Sequence, residues 1–231
     1  MPFYTDESQF FHALETEMDS MFAGENTGHD KYHLIRTRML ALEIQKQEGG
    51  NRLVIGVAAF LHDIHRAMQH AGGRYFTPAE SLDTVASIID RVGGMPADMI
   101  QSVLHCVEYH EEYGFSAAGR SANDLETWIV QDSDNIDAMG MIGIARGFMY
   151  AGSHGVPMYL PELPLIGRED YVEGVNDPSQ IHHFYSKLLR LKDNMNTETA
   201  KKLAAGRHQC MEQFLSQFLA EWNGQDYNPE Q

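Results

Sequence analysis

Residues 53–63 read Leu53-Val54-Ile55-Gly56-Val57-Ala58-Ala59-Phe60-Leu61-His62-Asp63, and this stretch decides the fold. A run this apolar, with no polar face, describes a central, buried helix. It ends in an imidazole and a carboxylate, so two polar groups are carried to the edge of a core. Buried groups of that kind are costly unless something pairs with them. A metal ion is a suitable partner, because it takes a neutral imidazole nitrogen and a carboxylate oxygen and neutralises the charge.

Two further segments supply matching residues. His33 lies in GHDKYHLIRTRMLALEIQKQ, where Leu40 and Ile44 follow at i+7 and i+11, so its ring falls on their apolar face. Asp132 lies in DLETWIVQDSDNIDAMG. Trp128 and Ile129 sit one turn before it, Ile136 one turn after and Met139 two turns after. Among Asp132, Asp134 and Asp137, only Asp132 has large apolar neighbours on both sides. A lone inward histidine is usually a core histidine bonded to backbone. Separate helices that aim His33, His62 with Asp63, and Asp132 inward point instead to a metal site.

The chain has 231 residues, 43% of them hydrophobic, and no Pro/Ser/Gly-rich linker divides it, so one all-α domain over 1–231 is expected. No run approaches the ~20 apolar residues that span a bilayer. The opening MPFYTDESQFF has no basic or apolar leader, and Cys106 and Cys210 lie on separate helical segments, so a cytoplasmic protein without a disulfide framework is expected. The net charge of -16 argues against duplex nucleic acid or an anionic membrane as partner. It leaves room for a small phosphorylated substrate held by a metal and local cations, and for a homodimer.

Helical spacing recurs along the chain. Helices are predicted over 6–22, 30–47 (stopped by Gly49-Gly50), 51–66, from Thr77-Pro78 to Val92, and from Pro96 to about Tyr113. Residues 122–150 read as two helices broken near Gly140 or Gly143, and 178–196 as another. Thr197 caps a last helix marked by Leu203, Cys210, Phe214, Phe218 and Trp222. Residues 151–177 form a Pro/Gly-rich loop, whose Tyr159, Leu160, Leu163 and Ile166 favour packing on the body.

The order H…HD…D on successive helices resembles the HD superfamily of metal-dependent phosphohydrolases. GHDKYHLIRTRMLAL, LHDI, VQDSDNIDAMGMIGIARGF, the Pro-rich loop and HHFYSKLLRLKDNMNTETAKKLA together look like a small, single-domain bacterial branch of it. The resemblance runs from about residue 29 to residue 222. It places the ligands on His33, His62, Asp63 and Asp132, and treats His29-Asp30 as a decoy pair that precedes its helix. It implies a mononuclear site for one divalent ion, manganese or magnesium first, with iron, cobalt, nickel or zinc as other choices. Open positions would take water and a phosphate oxygen. The implied reaction is hydrolysis of a phosphoester or phosphoanhydride bond. Some relatives release pyrophosphate from nucleoside triphosphates. The sequence departs from the alarmone hydrolases, which carry an acidic pair where this chain has Ile64-His65-Arg66, and from the cyclic-dinucleotide branch, whose Gly-Tyr-Pro signature is absent. Di-iron oxygenases of this fold need extra inward histidines, for which His65, His70, His105 and His110 lie in the right interval.

Other residues carry weaker expectations. His110 shares the stripe of Met99, Val103 and Val107, which makes it a neighbour of the metal and a proton donor, or else a core histidine. His65 points off the ligand face and reads as a surface residue. Lys187 and Lys192 read as phosphate clamps, or as a solvated face. Arg36 and Arg146 would pair with an acid or reach substrate, and Asp137 would brace a base or a ligand histidine, or else lie at the surface. Three functions remain open at this point: a phosphohydrolase, a two-iron oxygenase and a non-catalytic domain stabilised by a metal.

Overall fold

Helix α3, Arg52–Leu61, is the axis of the molecule. Asn51 starts it, its side-chain oxygen accepting from the amides of Leu53 and Val54. Every residue from Val54 to Leu61 is buried. Each large aliphatic side chain in such a position contributes about 1.5–3 kcal/mol relative to exposure. The wall around α3 is made by α2 (Lys31–Glu48), α6 (Ala97–Tyr109) and α7 (Leu125–Asp137), which all pack against it.

The computed structural model describes residues 7–116, 119–166, 172, 175 and 177–227, and the fold is all-α. The remaining helices are α1 (Glu7–Met21), α4 (Ile64–Gly72), α5 (Leu82–Val92), α8 (Gly140–Ser153), α9 (Gln180–Ser186) and α10 (Glu198–Trp222), with 3-10 turns at Ala79–Ser81 and Leu188–Asn194. A hydrophobic cluster runs through them from Phe10 to Leu215. No helix among the described residues is long and apolar enough to cross a membrane.

Local chemistry sets the boundaries. Asp30, Asp124 and Thr197 cap α2, α7 and α10 through their side chains. Gly49 ends α2 at φ 89, a conformation that costs other residues a steric clash. Gly140, at φ 69, makes the break between α7 and α8.

Two predicted helices are each divided. The segment 51–66 breaks at Asp63 (φ -94, ψ 18), which separates α3 from α4 and places the carboxylate at a corner. The segment 178–196 breaks at Lys187 (φ -129, ψ -63) and continues as the 3-10 turn. Phe184, Leu188 and Leu191 are buried on both sides of that break, so the apolar period runs through it unchanged.

The connection after α8 is pinned to α9, because Pro157 and Met158 carbonyls accept from Gln180 and Ile181 amides at 3.0 Å each. Tyr159 packs edge-on against Phe218 and Trp222, as an ordered loop requires. Leu163 and Ile166, expected to pack, are exposed instead. Residues 167–171, 173, 174 and 176 of the predicted loop lie outside the described residues.

Candidate metal centre and its cleft

Helix α2 brings His33, the α3–α4 corner brings His62 and Asp63, and α7 brings an aspartate to the same point. His33 Nε2 lies 3.1 Å from His62 Nε2 and 3.2 Å from Asp63 Oδ2. The aspartate from α7 is Asp134. Its Oδ1 lies 3.4 Å from His33 Nε2 and 3.5 Å from His62 Nε2. Ligands held about 2.1 Å from one ion at right angles stand about 3 Å apart, so these four side chains fit a single divalent cation.

The tautomers support that fit. His33 Nδ1 lies 2.8 Å from Asp137 Oδ2, and His62 Nδ1 lies 2.9 Å from the Ala59 carbonyl. Both partners accept, so each Nδ1 carries the proton, and the two Nε2 lone pairs face each other. Such an arrangement needs a proton or a cation between them. Burial works against a charge on His62, yet Asp63 and Asp134 outweigh it and raise its pKa to about 9. Burial favours the acid form of Asp63, but His62 and His29 hold it well below the usual carboxylate range. Asp137 is likewise held far down, since His33 and Arg36 overcome its burial.

Asp132 is not in this cluster. Its Oδ1 accepts from the Asn196 amide and side chain, and its Oδ2 from the Thr197 amide and hydroxyl, at 2.8–3.0 Å. It therefore ties α7 to the start of α10. Asp132 and Asp134 are two positions apart on a helix and face opposite ways, whereas Asp134 and Asp137 share a face. Apolar wrapping marked the residue that faces the core. The cluster takes the one that faces the cleft, where Asp134 keeps 19% of its side chain exposed.

Three residues around the cluster, His29, His65 and Glu111, were misplaced or missed by the sequence reading. His29 Nδ1 lies 2.7 Å from Asp63 Oδ2, so the first member of the decoy pair reaches the site while Asp30 caps α2. His65, expected at the surface, is fully buried, with Nε2 3.5 Å from Glu111 and 3.9 Å from Asp63 Oδ1. The break at Asp63 turns α4 inward, which a continuous helix would not do. Glu111 forms an ion pair with Arg66. His110 donates to the Val107 carbonyl at 2.7 Å, its ring lies 5.0 Å from that of His62, its Nε2 has no hydrogen-bond partner among the described residues, and burial lowers its pKa to about 4. Asp63, His65, His110 and Glu111 form a second group of potential ligand atoms within 4.8 Å of one another. His70 and His105 are exposed.

The cluster opens into a cleft of about 1030 Å³, open solvent at its mouth included, whose lining includes His29, Asp63, Arg66, Glu111, Asp134 and Arg146 together with Gln180, His183 and Lys187. Arg146 reaches Asp137 at 3.1 Å and the Gly28 carbonyl at 2.7 Å. Lys187 lies over the Tyr113 ring at 4.6 Å. Arg36 takes the first of its two expected roles, pairing with an acid, and one expected clamp, Lys192, is elsewhere. Arg36 spends both guanidinium contacts on Asp137, at 2.8 and 2.9 Å, and does not line the cleft. Lys192 is half-buried, 4.0 Å from Asp193, and does not line the cleft, because it follows the break at Lys187 and leaves the face that the helical reading gave it.

The HD-domain family model matches residues 31–139, the interval that carries His33, His62, Asp63 and Asp134. This chain belongs to the HD superfamily. It is 32% identical over 218 residues to the uncharacterized protein YpgQ of Bacillus subtilis, covering 92% of this chain and 94% of that one. Among solved structures, a Lactobacillus plantarum protein superposes with a TM-score of 0.77 at 32% identity, covering 95% of this chain and 99% of the other. An HD-superfamily hydrolase from Bacillus thuringiensis gives 0.67 at 33%, covering 94% and 98%. YpgQ in complex with ADP gives 0.66 at 28%, covering 96% and 99%.

Proposed function

We propose that this protein is a metal-dependent phosphohydrolase. It cleaves a phosphoester or phosphoanhydride bond of a nucleotide or similar small phosphate, with nucleoside triphosphates the first class to test. One observation carries the reading: the paired Nε2 atoms of His33 and His62 meet Asp63 and Asp134 at the floor of a cleft that also holds Arg66, Arg146 and Lys187. The chemistry of this donor set suits manganese or magnesium. A divalent ion held there by His33, His62, Asp63 and Asp134 supplies Lewis acidity and lowers the pKa of a coordinated water. The cleft leaves Asp63 and Asp134 reachable, which matches the open position of a catalytic site rather than the closed sphere of a structural one.

The surrounding residues have separable tasks. Asp137 and the Ala59 carbonyl fix the ring orientations of His33 and His62. Arg146 and Lys187 face the substrate's phosphate oxygens. His110, kept neutral by burial, accepts a proton at Nε2 and returns it to the leaving group. The complex of YpgQ with ADP supports a nucleotide in the cleft. Incubation with Mn²⁺ and a nucleotide panel should release phosphate or pyrophosphate from at least one compound. Absence of release across the panel contradicts the reading.

A second reading, a two-iron oxygenase, draws on the group of Asp63, His65, His110 and Glu111. It requires two ions per chain and oxygen consumption. One ion per chain by metal analysis, with no oxygen uptake, removes it.

A further inference from the structure

Two carboxamide side chains in the cleft have no task in the proposed reaction. Gln180, in the first turn of α9, and Asn135, on α7, both line the cleft, and each is only 3% exposed. Neither Gln180 Nε2 nor Asn135 Nδ2 has a hydrogen-bond partner among the described residues. A carboxamide carries two N–H donors, and a buried donor without an acceptor is a cost that native folds rarely accept.

The place of Gln180 is set from both sides. Ser179 caps α9 through its side chain, and the Gln180 backbone amide donates to the Pro157 carbonyl at 3.0 Å, which fixes where the side chain leaves the backbone. Gly147 of α8, which also lines the cleft, faces the end of that side chain. A Cβ at 147 would collide with Gln180 Nε2, so the missing side chain is what lets the carboxamide rest against α8. The terminal torsion of a glutamine is soft, so the group can turn from α8 into the cleft while its stem stays in place. Ala151, one turn further along α8, and Val156, whose amide donates to the Ala151 carbonyl at 2.8 Å, continue this part of the lining without charge.

The chemistry of these groups selects their ligand. A carboxamide is neutral and both donates and accepts, which matches an uncharged group that does the same. A site built to bond such a group rejects an analogue that lacks it, because its own buried polar atoms are then left unpaired. We propose that Gln180, seated on Gly147, and Asn135 hold an uncharged hydrogen-bonding group of the substrate: the base edge or a sugar hydroxyl of a nucleotide. This rests on the phosphohydrolase reading. It narrows the substrate from any small phosphate to one with a polar, uncharged part beyond its phosphates.

The test compares ADP, GDP, CDP and UDP with inorganic pyrophosphate, which offers phosphates alone, by calorimetric binding to the Mn²⁺-loaded full chain. Gln180→Met keeps the length of the side chain and removes its donors. It should weaken at least one of the nucleoside diphosphates by about tenfold and leave pyrophosphate within about twofold. Asn135→Leu should show the same selectivity. Gly147→Ala, with Gln180 intact, displaces the carboxamide and should do so at about threefold. Mn²⁺ content should stay at the wild-type level throughout. A loss that depends on the base identifies the base edge; a loss equal for all bases that vanishes in the 2′- or 3′-deoxy forms identifies a sugar hydroxyl. Unchanged nucleotide binding in Gln180→Met, a loss for pyrophosphate as large as for the nucleotides, a loss that follows neither base nor hydroxyl, or loss of Mn²⁺ overturns the proposal while the phosphohydrolase reading stands. So does a wild-type protein that binds pyrophosphate alone. A wild-type protein that binds none of the five compounds overturns both.

Discussion

The cleft is lined near the cluster by Asp63, Glu111 and Asp134, with Asp137 buried behind His33, and each of these carboxylates already faces imidazoles or a guanidinium. The α9 wall carries His183 and Lys187, with Asp177 behind the imidazole. Under the proposed function the first group serves a cation and the second an anion. The difference between them teaches more than either group alone, because a metal-bound phosphate would need both.

The contrast breaks most severely at the cluster. Removing the carboxylate of Asp63→Ala should lower Mn²⁺ affinity by more than the roughly 10–100-fold that loss of an outer partner costs, and abolish turnover. Metal content after gel filtration, read beside hydrolysis, checks this.

Helix α7 allows a sharper comparison. Asp134→Ala should lose Mn²⁺ by about a hundredfold yet stay folded, since the contacts of its carboxylate among the described residues are with the imidazole pair. Asp132→Ala should keep its metal within about threefold but lose stability. It strands the buried donors at Asn196 and Thr197, at about 1–3 kcal/mol for each unsatisfied group. For a chain of this size each kcal/mol lowers Tm by about 2–4 °C. Paired melting and metal-binding curves for the two variants separate these roles.

A smaller effect follows pH. In the metal-free protein His62 holds a proton up to about pH 9, and an ion must displace it. Mn²⁺ affinity should therefore rise by about tenfold per pH unit from neutrality and level off near 9. Titrations in buffers of different ionisation enthalpy should show about one proton released per ion. A flat profile would remove the proton from the cluster.

The mildest expectation concerns the lysines. Lys187→Ala should raise KM roughly tenfold, and Lys192→Ala should leave it unchanged, because only Lys187 lines the cleft. Equal effects would restore the clamp pair that a continuous helix through Lys187 implies.

The sequence was most legible where burial and polarity conflict. His33, His62 and Asp63 stand out because each is a polar group in an apolar setting, and caps such as Asp30, Asp124 and Thr197 fix the helices that carry them. The same logic fails for Asp134. A ligand that faces a polar cleft lacks apolar neighbours on its open side, so wrapping selects Asp132, whose partners at 196 and 197 are distant in the chain. His29 lies before its helix, where periodicity says nothing. His65 and Lys192 were misplaced for one reason: the breaks at Asp63 and Lys187 reset the helical phase without interrupting the apolar pattern. Counting outward from His62 or His183 could not reveal those corners.

Anomalous diffraction from a crystal soaked in Mn²⁺ tests the account most directly. The expected result is a peak bonded to His33 Nε2, His62 Nε2, Asp63 and Asp134, with Asp132 still bound to Asn196 and Thr197. A peak on Asp132, or none between the two imidazoles, would contradict it.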